Sequence, residues 1–228
     1  MSHTLNFKNF SFLIYGLGAS GKSTLNFLKK KKTKNLFIWD DNKYIRKKFK
    51  IENKRLKNEF KNAHYIVLSP GVSIKNAKFS KELKKYRKKV ITDLDLLYLS
   101  NKKFKSIVIT GTNGKSTIAL MIAKALKISP LANFGNLVLK NFPKKSENIV
   151  LELSSFQLEY LDYIKPKVSI ISNIKEDHIS YHGNFKKYKE SKLKICKNQK
   201  QKDFIILNYD EFNTREAFLK KDTTQAQI

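Results

Sequence analysis

Ile109-Thr110-Gly111-Thr112-Asn113-Gly114-Lys115-Ser116-Thr117 is the stretch on which the reading of this chain turns. An apolar run at residues 106–109 leads into it, and an apolar pattern of helical period leads out at residues 118–126. Strand, glycine-bearing turn and helix start, in that order, build a cradle for phosphate. Gly111 and Gly114 let the backbone approach an anion, and the first free N–H groups of the helix point at it. Lys115 is placed to reach terminal phosphate oxygens, and the hydroxyl of Ser116 or Thr117 to hold Mg2+. A plain Gly-Asn turn before an ordinary helix is the competing account. The flanking strand and helix favour the nucleotide.

A second glycine loop lies upstream. Residues 11–15 form an apolar strand that meets Gly16-Leu17-Gly18-Ala19-Ser20-Gly21-Lys22-Ser23-Thr24. This stretch satisfies the formal phosphate-loop spacing, which the later loop does not, because Ile109 stands where the outer glycine belongs. It also satisfies Gly-x-Gly-x-x-Gly, with Asp40 near the position that holds a ribose in dinucleotide sites. An ATP loop, a nicotinamide or flavin site, and a site for another nucleotide diphosphate all remain open from the glycines alone.

Around these loops the chain alternates strands and helices. Strands are expected at residues 36–39, 65–68, 90–92, 148–153, 168–172 and 204–207. Helices are expected between them, including a long one at 43–60 and another at 76–88. That alternation implies parallel, doubly wound α/β architecture. Residues 101–105 are polar, and the pattern of strand, loop and helix restarts after them. The expectation is therefore a Rossmann-like domain over 1–100, followed by a phosphate-loop α/β domain over 101–228 and ending in a polar tail.

Composition narrows the function classes. The 228 residues carry a formal charge of +28, a balance often found in proteins that grip nucleic acid. Here the lysines are scattered along polar helix faces, and arginine, the better reader of phosphate and guanine, is confined to Arg46, Arg55, Arg87 and Arg215. No dedicated nucleic-acid partner is expected. Cys196 is alone, so no internal disulfide forms, and a reducing cytoplasm fits. The first apolar run is too short to span a bilayer, so no membrane insertion is expected.

Phosphoryl chemistry needs carboxylates to place cations. Glu152 ends the strand after the second loop, and Asn173 with Glu176-Asp177-His178 follows the next strand. Lys115, Glu152 and His178 are thus expected to converge at the carboxyl edge of one sheet. His178 and His182 could share a helix face, but a zinc pair lacks a third ligand nearby. Ser154 and Gln157 have the spacing of a capping box.

Taken together, these blocks resemble the Mur ligases, the ATP-dependent amide-bond enzymes of peptidoglycan precursor synthesis. Residues 111–117 have that family's loop form, in which the missing outer glycine is normal. Leu151-Glu152-Leu153-Ser154-Ser155-Phe156-Gln157-Leu158-Glu159 is the most specific signature. Asn173 with residues 176–178, Tyr188 with residues 191–193, residues 16–21 and Ser69-Pro70-Gly71 supply further blocks. Ser116, where relatives usually carry threonine, favours the branch that joins D-glutamate to UDP-N-acetylmuramoyl-L-alanine.

The resemblance implies that Gly16, Leu17, Gly18, Ser20, Gly21, Asp40, Ser69, Pro70 and Gly71 help hold the UDP-sugar, with Asn133, Ser154 and Gln157 near the substrate. Gly111, Thr112, Asn113, Gly114, Lys115, Ser116 and Thr117 would hold ATP. Ser116 and Glu152 would bind one Mg2+ and His178 a second. Lys192 resembles the family's carbamylated lysine, which serves the metal site; the competing account is a solvated lysine on a basic helix. The implied catalytic set is Lys115, His178 and Lys192, acting in a monomer. Ser180 and Tyr181 replace an aspartate and an arginine common after the Asp-His pair, which bears on substrate fit. The family's third, amino-acid-binding domain is not in the sequence, and the central domain looks incomplete. The rival readings are a kinase or NTPase using the first loop, and an inactive fragment that only binds nucleotide.

Overall fold

The computed structural model describes residues 5–52, 56–100, 104–132, 136–141, 147–219 and 225–227. It divides into two compact units, residues 1–101 and 102–228.

The first unit is a four-stranded parallel sheet. Its strands are β1 (Ser11–Tyr15), β2 (Asn35–Trp39), β3 (Tyr65–Leu68) and β4 (Val90–Ile91), in the order β2-β1-β3-β4. Every residue of β1 is buried, as expected for a central parallel strand covered on both faces. The helices are α1 (Ala19–Lys30), α2 (Lys43–Lys48), α3 (Leu56–Asn62), α4 (Ser80–Lys85) and α5 (Asp93–Leu99). The single long helix expected at 43–60 is two pieces: α2 stops at Phe49, Lys50 turns with φ +52°, and residues 53–55 lie outside the described residues. The helix expected at 76–88 is only α4 followed by a 3-10 turn at Arg87–Lys89. Trp39, Phe60 and Phe79 pack as a buried aromatic group, with Trp39 edge-on to Phe79 at 5.1 Å.

The second unit is a five-stranded parallel sheet. Its strands are β5 (Lys105–Thr110), β6 (Leu131–Ala132), β7 (Asn148–Glu152), β8 (Val168–Ile171) and β9 (Phe204–Leu207), in the order β6-β7-β5-β8-β9. Its helices are α6 (Lys115–Ala125), α7 (Ser155–Glu159), α8 (Ile179–His182), α9 (Phe185–Leu193) and α10 (Phe212–Leu219). Helix α6 lays Ala119 and Ala123 on Ile109, Val150 and Ile170 of the sheet. Small residues on the helix allow close approach to branched residues on the strands. The polar tail is not wholly irregular. Gln227 pairs parallel with the start of β9, its carbonyl accepting the Ile205 N–H at 2.8 Å.

In both sheets the chain first fills one side of the strand carrying the glycine loop, with β2 in the first and β6 then β7 in the second, and later crosses to the other side with β3 or β8. Crevices for ligands form at such switch points, beyond the carboxyl ends of the strands. Among the described residues, no helix is long and apolar enough to cross a membrane.

Candidate functional site

In the first unit the glycine loop closes over the ends of β1 and β3. Gly16 adopts φ +97°, and a Cβ on Gly21 would lie 1.9 Å from the Gly16 carbonyl oxygen, so helix and turn touch where only glycine fits. The Ser69 hydroxyl donates to the same carbonyl at 2.7 Å. A cavity of about 480 Å³ opens here, lined by Gly16, Gly18, Asp40, Asp41, Ser69 and Gly71, among others.

The carboxylates beside this cavity are already engaged. Asp40 accepts the Leu17 N–H at 2.6 Å on one oxygen and the Asn42 N–H at 2.7 Å on the other. Asp41 accepts from the Tyr15 hydroxyl, the Trp39 indole and the Lys78 N–H, at 2.7 to 2.9 Å. Asp40 therefore ties the loop to the end of β2 while still lining the cavity. Asp41 was missed by sequence reasoning; the Asp40-Asp41 doublet at a strand end was the available signal.

In the second unit Gly111 has φ +154° and Gly114 φ +78°. A Cβ on Gly111 would meet the Ser172 Oγ at 1.9 Å. The loop is pinned from β8 onward: Thr112 N–H donates to the Asn173 carbonyl at 2.9 Å, and Asn113 N–H to Asn173 Oδ1 at 2.9 Å. Ser172 Oγ donates to the Asn113 carbonyl at 2.7 Å. Gly114 leaves the start of α6 without a side-chain cap, so the helix N-terminus is open to an anion.

Four side chains named from the sequence gather at this loop. Lys115 Nζ donates to the Thr112 carbonyl at 2.7 Å, folding its charge over the turn. Ser116 Oγ donates to Glu152 Oε2 at 2.9 Å, and Glu152 is 2% exposed. Lys192, also 2% exposed, donates to the Gly111 carbonyl at 2.6 Å and lies 4.7 Å from the centre of the Tyr188 ring. The solvated-lysine account of Lys192 is thereby corrected: α9 turns it inward with Tyr188, four residues earlier. Burial pulls its pKa down to about 7, the nearby Lys115 charge pulls the same way, and Asp177 opposes both.

His178 stands one side chain further out. It adopts φ +52°, its Nε2 lies 3.4 Å from Asp177 Oδ2, and its ring packs 4.8 Å from Phe156 and 6.4 Å from Tyr188. His182 does not join it in a pair: it is buried, stacked on Phe156, with Nε2 3.0 Å from the Ser155 hydroxyl. Among the described residues, no group of three His, Cys, Asp or Glu could hold a metal. Ser154 and Gln157 form a reciprocal capping box at the start of α7. Asn133 lies outside the described residues.

The profile of the Mur ligase middle domain matches residues 109–227, a span that contains all the loop contacts just given. The chain belongs to the Mur ligase family. Among curated Mur ligases it is 37% identical to the UDP-N-acetylmuramoylalanine--D-glutamate ligase of Hydrogenobaculum sp. (strain Y04AAS1), over 87% of this chain and 46% of that one. It is 30% identical to the protein of the same name from Caldicellulosiruptor bescii, over 93% of this chain and 50% of that one. The chain spans about half the length of the curated relatives it matches. A crystal structure of the UDP-N-acetylmuramate:L-alanyl-gamma-D-glutamyl-meso-diaminopimelate ligase from Neisseria meningitides superposes with a TM-score of 0.53. That alignment covers 96% of this chain and 77% of that one at 12% identity, a likeness of fold.

Proposed function

We propose that this Mur ligase chain carries the UDP-sugar-binding and ATP-binding parts of an enzyme that joins D-glutamate to UDP-N-acetylmuramoyl-L-alanine. The observation that supports this best is the Ser116–Glu152 contact at the mouth of a glycine loop bearing Lys115. The relatives' shared name supplies the substrates.

In this reading the γ-phosphoryl of ATP passes to the substrate carboxylate, giving an acyl phosphate. The amine of D-glutamate attacks that carbonyl, and phosphate leaves from a tetrahedral intermediate. The open N-terminus of α6 binds phosphate oxygens. Lys115 exchanges the Thr112 carbonyl for a terminal oxygen and offsets the charge that develops in transfer.

Mg2+ fits the donors present. It favours hard oxygens, one or two carboxylates and the phosphates themselves, and Ser116 and Glu152 offer a hydroxyl and a carboxylate in contact. Bound there, it would neutralise phosphate oxygens. His178, and Lys192 once carbamylated, would serve a second ion. A neutral amine is needed to take up CO2, and the lowered pKa of Lys192 supplies one near pH 7.

The first loop then holds the UDP-sugar. Both carboxylates beside it are engaged by internal donors, which disfavours its use as an ATP and metal site. Calorimetric titration with ATP and Mg2+ tests the assignment: Lys115→Ala abolishes binding and Lys22→Ala retains it. The reverse pattern overturns it. In the full reaction, phosphate release depends on both the UDP-sugar and D-glutamate.

A further inference from the structure

We propose that Tyr188 is a positioning residue that holds the phosphate loop in its nucleotide-accepting shape. This rests on the nucleotide reading of that loop given above. Tyr188 is 1% exposed, yet its hydroxyl lies 3.0 Å from Thr112 Oγ1. Thr112 is the hub of the turn. Its hydroxyl donates to the Lys175 carbonyl at 3.1 Å and accepts the Lys175 N–H at 2.9 Å. Its own carbonyl receives the Lys115 ammonium at 2.7 Å.

Loop, β8–α8 connection and α9 thus meet at one threonine side chain, and Tyr188 is the member contributed by α9. Its ring also faces the Lys192 ammonium, which donates to the neighbouring Gly111 carbonyl. Two residues one helical turn apart on α9 therefore grip two successive residues of the loop. A loop that must present its N–H groups without reorganising gains from such restraint, because ordering it on binding would cost affinity.

The test uses Tyr188→Phe, which keeps the ring and removes only the hydroxyl, together with Thr112→Val and the double variant. Titration with ADP and Mg2+ should show about three- to tenfold weaker binding in Tyr188→Phe, the range expected for one net hydrogen bond, and a larger loss in Thr112→Val, which also gives up both contacts with Lys175. The double variant should be no weaker than Thr112→Val alone, because the two share one interaction. Amide hydrogen exchange on the unliganded proteins should rise at Thr112, Asn113 and Lys175 in Tyr188→Phe and stay unchanged elsewhere. Binding equal to wild type, additive losses in the double variant, or a uniform rise in exchange would each overturn the proposal. If the wild-type chain bound no ADP, the nucleotide reading would fall. The exchange measurement would still decide whether Tyr188 holds the loop.

Discussion

The Ser116 hydroxyl donates to Glu152 Oε2 across 2.9 Å, joining the first turn of α6 to the end of β7. The two residues are 36 apart in sequence, and the parallel register that sets Ile109 opposite Glu152 brings them together. The sheet thus fixes where the carboxylate sits, and the glycine loop fixes where the hydroxyl sits.

Glu152→Gln should separate charge from shape. It keeps a partner for the Ser116 hydroxyl and removes the negative charge. ADP affinity without Mg2+ should change little, while the gain in affinity on adding Mg2+ should shrink at least about tenfold, the smallest loss typical of a disturbed metal site. Calorimetry with and without EDTA reads both numbers.

Gly111→Ala should destabilise the second unit by about 1–3 kcal/mol from its φ of +154° alone. The clash with Ser172 Oγ at 1.9 Å adds to that. Gly111→Ala with Ser172→Gly relieves the clash and leaves the backbone strain, so the double variant should recover only part of the loss. Urea unfolding of Gly111→Ala, Ser172→Gly and the double variant measures it.

The strands were legible because buried parallel strands read as short apolar runs, and β3 and β9 fall at the expected residues. Strand β6 escaped notice, since two residues carry no periodicity. The break between α2 and α3 was hidden by a charge run that reads as continuous helix. Lys192 was the hardest residue to place. Phe185-Lys186-Lys187-Tyr188-Lys189-Glu190-Ser191-Lys192-Leu193 looks like a solvated surface, and only the four-residue spacing from Tyr188 marks the inward face. Pairwise contacts such as Thr112 with Lys175 depend on where two loops end, which no local pattern encodes.

Asp40→Ala should loosen the first unit rather than merely weaken a ligand. It leaves the buried Leu17 N–H without its acceptor, a loss of about 1–3 kcal/mol for a charged partner. Thermal unfolding should show it in the unliganded chain.

Lys192 should make stability depend on pH in the direction opposite to a salt-bridged lysine. Its folded pKa is about 7, below the ordinary lysine value, chiefly because burial penalises the ammonium. Between about pH 7 and the unfolded pKa, the unfolded chain therefore binds more protons than the folded one. Stability rises with pH where that is so, by up to about 1.4 kcal/mol per pH unit for one group. Below pH 7 both states are protonated and the slope vanishes. The decisive quantity is the difference from Lys192→Met, which keeps the length and loses the titration of this one group. Urea unfolding from pH 6 to pH 9 should give a steeper rise in the wild type than in Lys192→Met, with the two curves parting near pH 7. Bicarbonate should shift the wild-type curve alone if the neutral amine takes up CO2, and mass spectrometry under native conditions should find the added mass on the same residue.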